Sequence, residues 1–118
     1  MALVVLLSAC QSTSSCGAPA PSAQKLSYGV LTYEEGNYQA SMIALQGVLE
    51  NSQSTKPERL RAYKYLAFIH CVSGQEKNCR EYFRKALELN PSFELEPTET
   101  GHPIWGPVFR SVKSKFAK

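Results

Sequence analysis

His70, Cys71 and Cys79 form the densest group of chemically capable side chains in the sequence. A close His/Cys set invites a zinc reading. The usual zinc pattern needs two close-spaced ligand pairs, however, and the sequence offers no second pair. Packing of His70 between helices and a structural role for the cysteines fit the spacing better, so no metal is expected. Cys71 and Cys79 flank Gly74 at similar distances. If Gly74 turns a helical hairpin, the two thiols lie at similar heights on antiparallel helices. A disulfide then requires Cβ atoms about 3.5–4.5 Å apart, which sequence does not fix. A bridge and two buried thiols both remain open.

Nucleophilic catalysis is poorly served. It needs a base held beside Cys or Ser and a third group to orient that base. The other histidine, His102, lies between Gly101 and Pro103, where local turn hydrogen bonding is its natural role. The chain has no Asp at all, which removes Asp-dependent catalytic and metal constellations, although Glu could substitute. The expectation is a protein that is not an enzyme, with no cofactor and no small-molecule substrate. A net charge of +3 is too weak to argue for nucleic acid.

The remaining cysteines, Cys10 and Cys16, stand in a different setting. The apolar run 2–7 has neither alternation nor helical periodicity. It is far shorter than the roughly 20 apolar residues a bilayer span needs. Residues 11–24 are Ser, Thr, Ala, Pro, Gly, Gln and Cys, without a large apolar side chain. Such a stretch cannot bury enough surface to offset its ordering entropy and reads as a tether. A short apolar run ending in small residues reads as the end of a secretory signal. Leu7, Ser8, Ala9 and Cys10 resemble the bacterial lipobox. In that family cleavage precedes the Cys, whose thiol carries diacylglycerol. The alternative is an ordinary secretory signal with a chance Cys. No Lys or Arg precedes Cys10, so the expected signal over 1–9 is incomplete: the start codon lies upstream, or Met1 is internal. Gln11 after the Cys resembles lipoproteins sorted to the outer membrane. Each buried acyl CH₂ adds about 0.8 kcal/mol, enough for two or three chains to hold a small protein. Cys16 has no evident partner.

These residues need elements to position them, and the pattern from Lys25 onward is helical. GNYQASMIALQGVLE, starting at Gly36, aligns with GQEKNCREYFRKALE, starting at Gly74, 38 residues on. The alignment pairs Ser41 with Cys79, Leu45 with Phe83, Val48 with Ala86 and Leu49 with Leu87. This resembles the tetratricopeptide repeat, whose period is about 34 residues. In the second copy Tyr63, Leu66, Ala67, His70, Gly74, Cys79, Phe83, Ala86 and Pro91 fit. In the first, Gly29, Gly36, Tyr38, Ser41 and Leu45 fit. Lys25 and Thr32 replace bulky residues there, and Gln53 replaces the closing Pro. The loop NSQSTKPE holds four extra residues.

The predicted fold class is all-α: two TPR-like helical hairpins plus a C-terminal capping helix, a fragment of an α-solenoid. Helices are expected near 24–35, 38–51, 57–72, 76–89 and 105–116. The expected organisation is a signal over 1–9, a lipidated Cys and flexible tether over 10–24, and a helical domain over 25–118. Residues 91–103, with three prolines and Gly101, should cross the surface as an extended connection. One repeat cannot bury its own apolar face, and about three units or a cap are needed. The cap is expected from the tail. Ile104, Trp105, Val108, Phe109, Val112 and Phe116 recur at helical spacing, Pro107 suits a first turn, and Lys113, Lys115 and Lys118 suit a helix C-terminus.

The repeat resemblance implies peptide binding on the concave face of the first helices, which by repeat numbering carries Leu26, Val30 and Tyr33, then Arg61, Lys64 and Phe68. Tyr33, Arg61, Lys64 and Phe68 are the expected partner-binding residues, suited to an extended segment bearing a carboxylate. The competing expectation is that the tail covers this face, or that its charges are merely solvated. The repeat pair, the lipobox, CVSGQEKNC and the ending GHPIWGPVFRSVK together resemble the TssQ-type accessory lipoproteins of bacterial type VI secretion systems. That resemblance implies an outer-membrane lipoprotein facing the periplasm, binding protein partners of the cell envelope. The alternative is a lipoprotein helper in outer-membrane or pilus assembly.

Overall fold

The structure, a computed structural model, describes residues 20–117. The expected signal, Cys10, Cys16 and the tether up to residue 19 lie outside the described residues, as does Lys118. Six helices follow in order: α1 Pro21–Glu34, α2 Tyr38–Glu50, α3 Lys56–Val72, α4 Glu76–Leu89, the single turn α5 Pro97–Thr100, and α6 Trp105–Phe116. Among the described residues there is no strand, and no helix is long and apolar enough to cross a membrane. The chain is all-α, with two TPR-like hairpins, α1–α2 and α3–α4.

Both hairpins turn by the same device. Gly36 and Gly74 adopt φ of 81° and 79°, a left-handed conformation that glycine reaches without a Cβ penalty. The Asn37 N–H then donates to the Thr32 carbonyl and the Gln75 N–H to the His70 carbonyl, both at 2.8 Å. These bonds satisfy the carbonyls that a helix end leaves unpaired. Close approach inside the first hairpin needs a second glycine. Ser41 Oγ donates to the Gly29 carbonyl at 2.6 Å, and a Cβ on Gly29 would stand 2.8 Å from Leu45 Cδ2. The substitution of Thr32 for a bulky residue is accommodated. Its buried hydroxyl donates to the carbonyls of Tyr28 and Gly29 at 2.8 and 3.1 Å.

The extra residues between hairpins form a turn that Asn51 and Ser54 tie down. Asn51 Oδ1 accepts from the Gln53 N–H at 2.8 Å, and Ser54 Oγ donates to the Val48 carbonyl. Thr55 and Glu58 close a capping box at the start of α3. Hydrogen bonds from the Thr55 backbone N–H and the Ser22 hydroxyl hold the Glu58 carboxyl below its usual range. The Ser22 bond also corrects the expected domain boundary at Lys25. With Pro21 in its first turn and Ser22 buried against α3, α1 absorbs residues 21–24 of the expected tether.

Two cores result. Leu26, Leu45, Val48, Ala62, Leu66 and Ile69 join α1, α2 and α3. Ala67, Phe68, Phe83, Leu87, Trp105, Val108, Phe109 and Val112 join α3, α4 and α6. The last helix takes the place that the first helix of a third repeat would occupy, packing on α4 and α3. Residues 91–103, expected as an extended surface connection, are partly helical and partly buried. Leu95 is buried in the second core. Pro97 and a Glu96–Glu99 capping box wind α5 into one helical turn. Lys113 fastens the strap to α6, its Nζ donating to the carbonyls of Pro91 and Phe93 at 3.0 and 2.8 Å.

Candidate functional site

The face expected to bind a partner is where α1 and α3 lie side by side, and the tail returns along its α3 edge. Trp105 decides its character. Its ring stacks on Phe68 with centroids 3.8 Å apart and on His102 at 3.5 Å, forming a three-ring sandwich. The indole N–H donates to the Glu99 carbonyl at 3.0 Å. His102 does the turn hydrogen bonding expected of it, its Nδ1 accepting from the Ile104 N–H at 3.1 Å. One turn before Phe68, Lys64 Nζ meets Glu99 Oε2 at 2.9 Å, with both side chains largely removed from water. The ammonium also lies 4.9 Å from the centre of the Tyr65 ring, within cation–π range.

Two of the four expected binding residues are therefore consumed by the tail. Phe68 is buried beneath Trp105, and Lys64 is buried in its pair with Glu99. Leu26 is buried in the first core. The physical reason is that α5 and α6 supply both a ring for Phe68 and a carboxylate for Lys64, so the tail meets the chemistry proposed for a foreign peptide. Tyr33 remains partly accessible and Arg61 is exposed. Tyr33 stands amid Tyr38, Tyr65 and Phe68, with ring centroids at 5.9, 5.1 and 6.3 Å. Arg61 lies 6.0 Å from the Tyr65 ring centre. Tyr38, expected only as a repeat position, and Tyr65 and Glu99 were not among the expected binding residues. Tyr65 adjoins Lys64 in the chain, so the helical facing of α3 could have drawn attention to it. Glu99 gave no signal, because its pairing depends on the path of the tail.

What survives is a tyrosine strip, Tyr33, Tyr38 and Tyr65, bordered by Arg61. Burial, reinforced by the neighbouring Tyr38 and Tyr65 and the Glu99 and Glu34 carboxylates, pushes the Tyr33 phenol up to about 12. It is a neutral hydroxyl at physiological pH, able both to donate and to accept. Three aromatic bodies with polar tips beside a guanidinium suit contact with a protein segment that has apolar and acidic groups.

Cys71 and Cys79 are joined by a disulfide across the α3–α4 turn, with Cα atoms 5.0 Å apart. Both sulfurs are thereby withdrawn from metal ligation. His70 stacks on Tyr82 at 5.4 Å and bonds Gln75 Oε1 through Nδ1. Among the described residues no group of three or more His, Cys, Asp or Glu could hold a metal ion.

No family model matches the chain. The type IV pilus assembly protein PilF of Pseudomonas aeruginosa is 38% identical over 73 residues, which is 58% of this chain and 28% of that protein. The chain thus covers little more than a quarter of that relative's length. No solved structure matches.

Proposed function

We propose that the chain is a non-catalytic adaptor of the bacterial cell envelope, lipid-anchored at Cys10, that holds protein partners during assembly of an envelope machine. The observation that supports this reading most is the pair of stacked repeats closed by their own tail, with a half-buried tyrosine strip and the exposed Arg61 at its edge. Such a body offers a rigid surface. Residue types at the strip favour a protein segment over a nucleic acid or a small metabolite. The likeness to a pilus assembly protein favours pilus-type assembly as the setting. Service to a type VI secretion apparatus is the second reading, resting on the ending GHPIWGPVFRSVK and its companions. Sorting to the outer membrane, facing the periplasm, is part of the proposal and rests on Gln11 after Cys10.

Labelling cells with a palmitate analogue should tag the protein, and Cys10→Ser should abolish the tag; equal labelling of the variant removes the anchor from the proposal. Deleting the gene and scoring pilus-dependent motility beside contact-dependent killing of competitors separates the two settings. For the surface, Arg61→Glu should reduce recovery of envelope partners in a pull-down while leaving the domain folded, because exposed charges contribute little to stability. Lys64→Glu should destabilise the domain strongly instead, since it leaves Glu99 facing a second carboxylate in a nearly dry site, and breaking such a pair costs about 3–5 kcal/mol.

A further inference from the structure

The two hairpins differ most on the face that looks away from the C-terminal cap. In α3, Ala62, Leu66 and Ile69 are fully buried against Leu45 and Val48 of α2. The 38-residue correspondence places Gln24, Tyr28 and Leu31 of α1 at those three positions. No described helix precedes α1, and Tyr28 and Leu31 are 54% and 52% exposed. The apolar surface continues onto α2, where Ile43 is 67% exposed. Lys25, Tyr28, Ala40, Ile43 and Ala44 line a hollow of about 410 Å³ between the two helices.

Where α4 carries Lys77, Glu81, Arg84, Lys85 and Glu88, α2 carries Gln39, Ile43, Gln46, Gly47 and Glu50. A helix side that meets water is ordinarily polar and charged, as this side of α4 is. On α2 that side keeps a single charged residue, Glu50, turns Gln46 onto the Tyr82 hydroxyl at 2.7 Å and leaves Ile43 exposed. Lys25 adds a lone cation at the rim, without an ion-pair partner among the described residues.

The molecule itself contains the template for what covers such a face. The α2–α3 interface is an apolar stripe, Met42, Leu45, Val48 and Leu49, laid on Ala62, Leu66 and Ile69. The open face continues that interface by one repeat in the N-terminal direction. We infer that it docks an amphipathic helix of another protein, seated on Tyr28, Leu31 and Ile43 as α2 is seated on α3, with a carboxylate directed at Lys25. A second copy of this chain has no free helix of that kind among its described residues, since its own α2 stripe is buried in its core. The site lies apart from the tyrosine strip and stands independently of the lipid anchor.

The test uses the full chain with Cys10→Ser, which prevents acylation. The probe is a fluorescein-labelled peptide of residues 37–51, stapled between positions 39 and 43, which face solvent in the native chain. Fluorescence anisotropy should report saturable binding. Tyr28→Ser with Leu31→Ser should weaken it about tenfold or more, because two half-exposed apolar side chains lose their burial in the complex. Circular dichroism checks that the variant is folded. Ile104→Ser, an exposed apolar residue beside the cap, should leave binding unchanged. Three results overturn the inference. The first is no binding, or binding indifferent to the Tyr28 and Leu31 changes. The second is a dimer of the wild-type chain that the same variant converts to monomer, which makes the face a contact between copies. The third is binding to anionic phospholipid vesicles that the variant loses, which makes it a lipid surface.

Discussion

Replacing Trp105 by Ala tests whether the tail is a structural cap. The ring is 7% exposed, stacked on Phe68 and His102, and its N–H is bonded to the Glu99 carbonyl. Removing a buried aromatic costs about 3–5 kcal/mol, cavity included, and the lost hydrogen bond accounts for about 1 kcal/mol of it. A domain of this size has about 5–15 kcal/mol in total, so the variant forfeits a large part of its stability. With about 4–8 °C lost per kcal/mol for a small domain, the melting temperature should fall by at least about 12 °C. Differential scanning calorimetry measures this directly. Trp105→Phe keeps a ring on Phe68 and gives up the N–H, so it should cost only about 1–2 kcal/mol. As the single tryptophan in the chain, Trp105 also reports on itself: its emission should be blue-shifted and protected from acrylamide. A melting temperature within about 2 °C of wild type for Trp105→Ala, together with red, freely quenched emission in the wild type, would refute the cap and turn Trp105 into a binding anchor.

Other consequences follow from particular contacts. Reduction of Cys71–Cys79, or replacement of both by Ser, removes a cross-link of sequence separation 8 and should cost about 2–3 kcal/mol on the loop-entropy account, read as a lower melting temperature in reductant. Gly106→Ala places a Cβ 2.6 Å from the Thr100 carbonyl oxygen and should destabilise by about 1–3 kcal/mol. Gly101→Ala meets open space and should be neutral or stabilise by up to about 1 kcal/mol; equal effects of the two on urea unfolding contradict the close approach of α5 and α6. Tyr33 titrates near 12 in the folded chain and near 10 when unfolded. Between those values the unfolded chain has released a proton that the folded chain retains, so stability falls across that window as pH rises. Urea midpoints measured from pH 9 to 12 should decline more steeply for wild type than for Tyr33→Phe.

Much of the fold is written in local pattern. Gly36 and Gly74 mark both hairpin turns because a left-handed residue there is a local requirement. The apolar spacing in 104–116 predicted a capping helix, since an exposed repeat face needs cover. The start of α1 was misread because Ser22 and Ala23 resemble tether composition. What recruits them is the hydrogen bond from Ser22 to Glu58, 36 residues away.

The sequence by itself determined the helices, their pairing into two hairpins and the need for a cap, because those depend on turn chemistry and on periodic burial within one or two turns. The tertiary structure alone decided which surface stays open. Lys64 and Glu99 are 35 residues apart, and Phe68 meets Trp105 only because residues 91–104 turn back over α3. Whether a lysine and a phenylalanine form a groove or a sealed core depends on that path, and path is set by the sum of distant contacts. The same holds for the opposite end. Tyr28 and Leu31 occupy positions whose counterparts are buried in the second hairpin, yet both stay about half exposed.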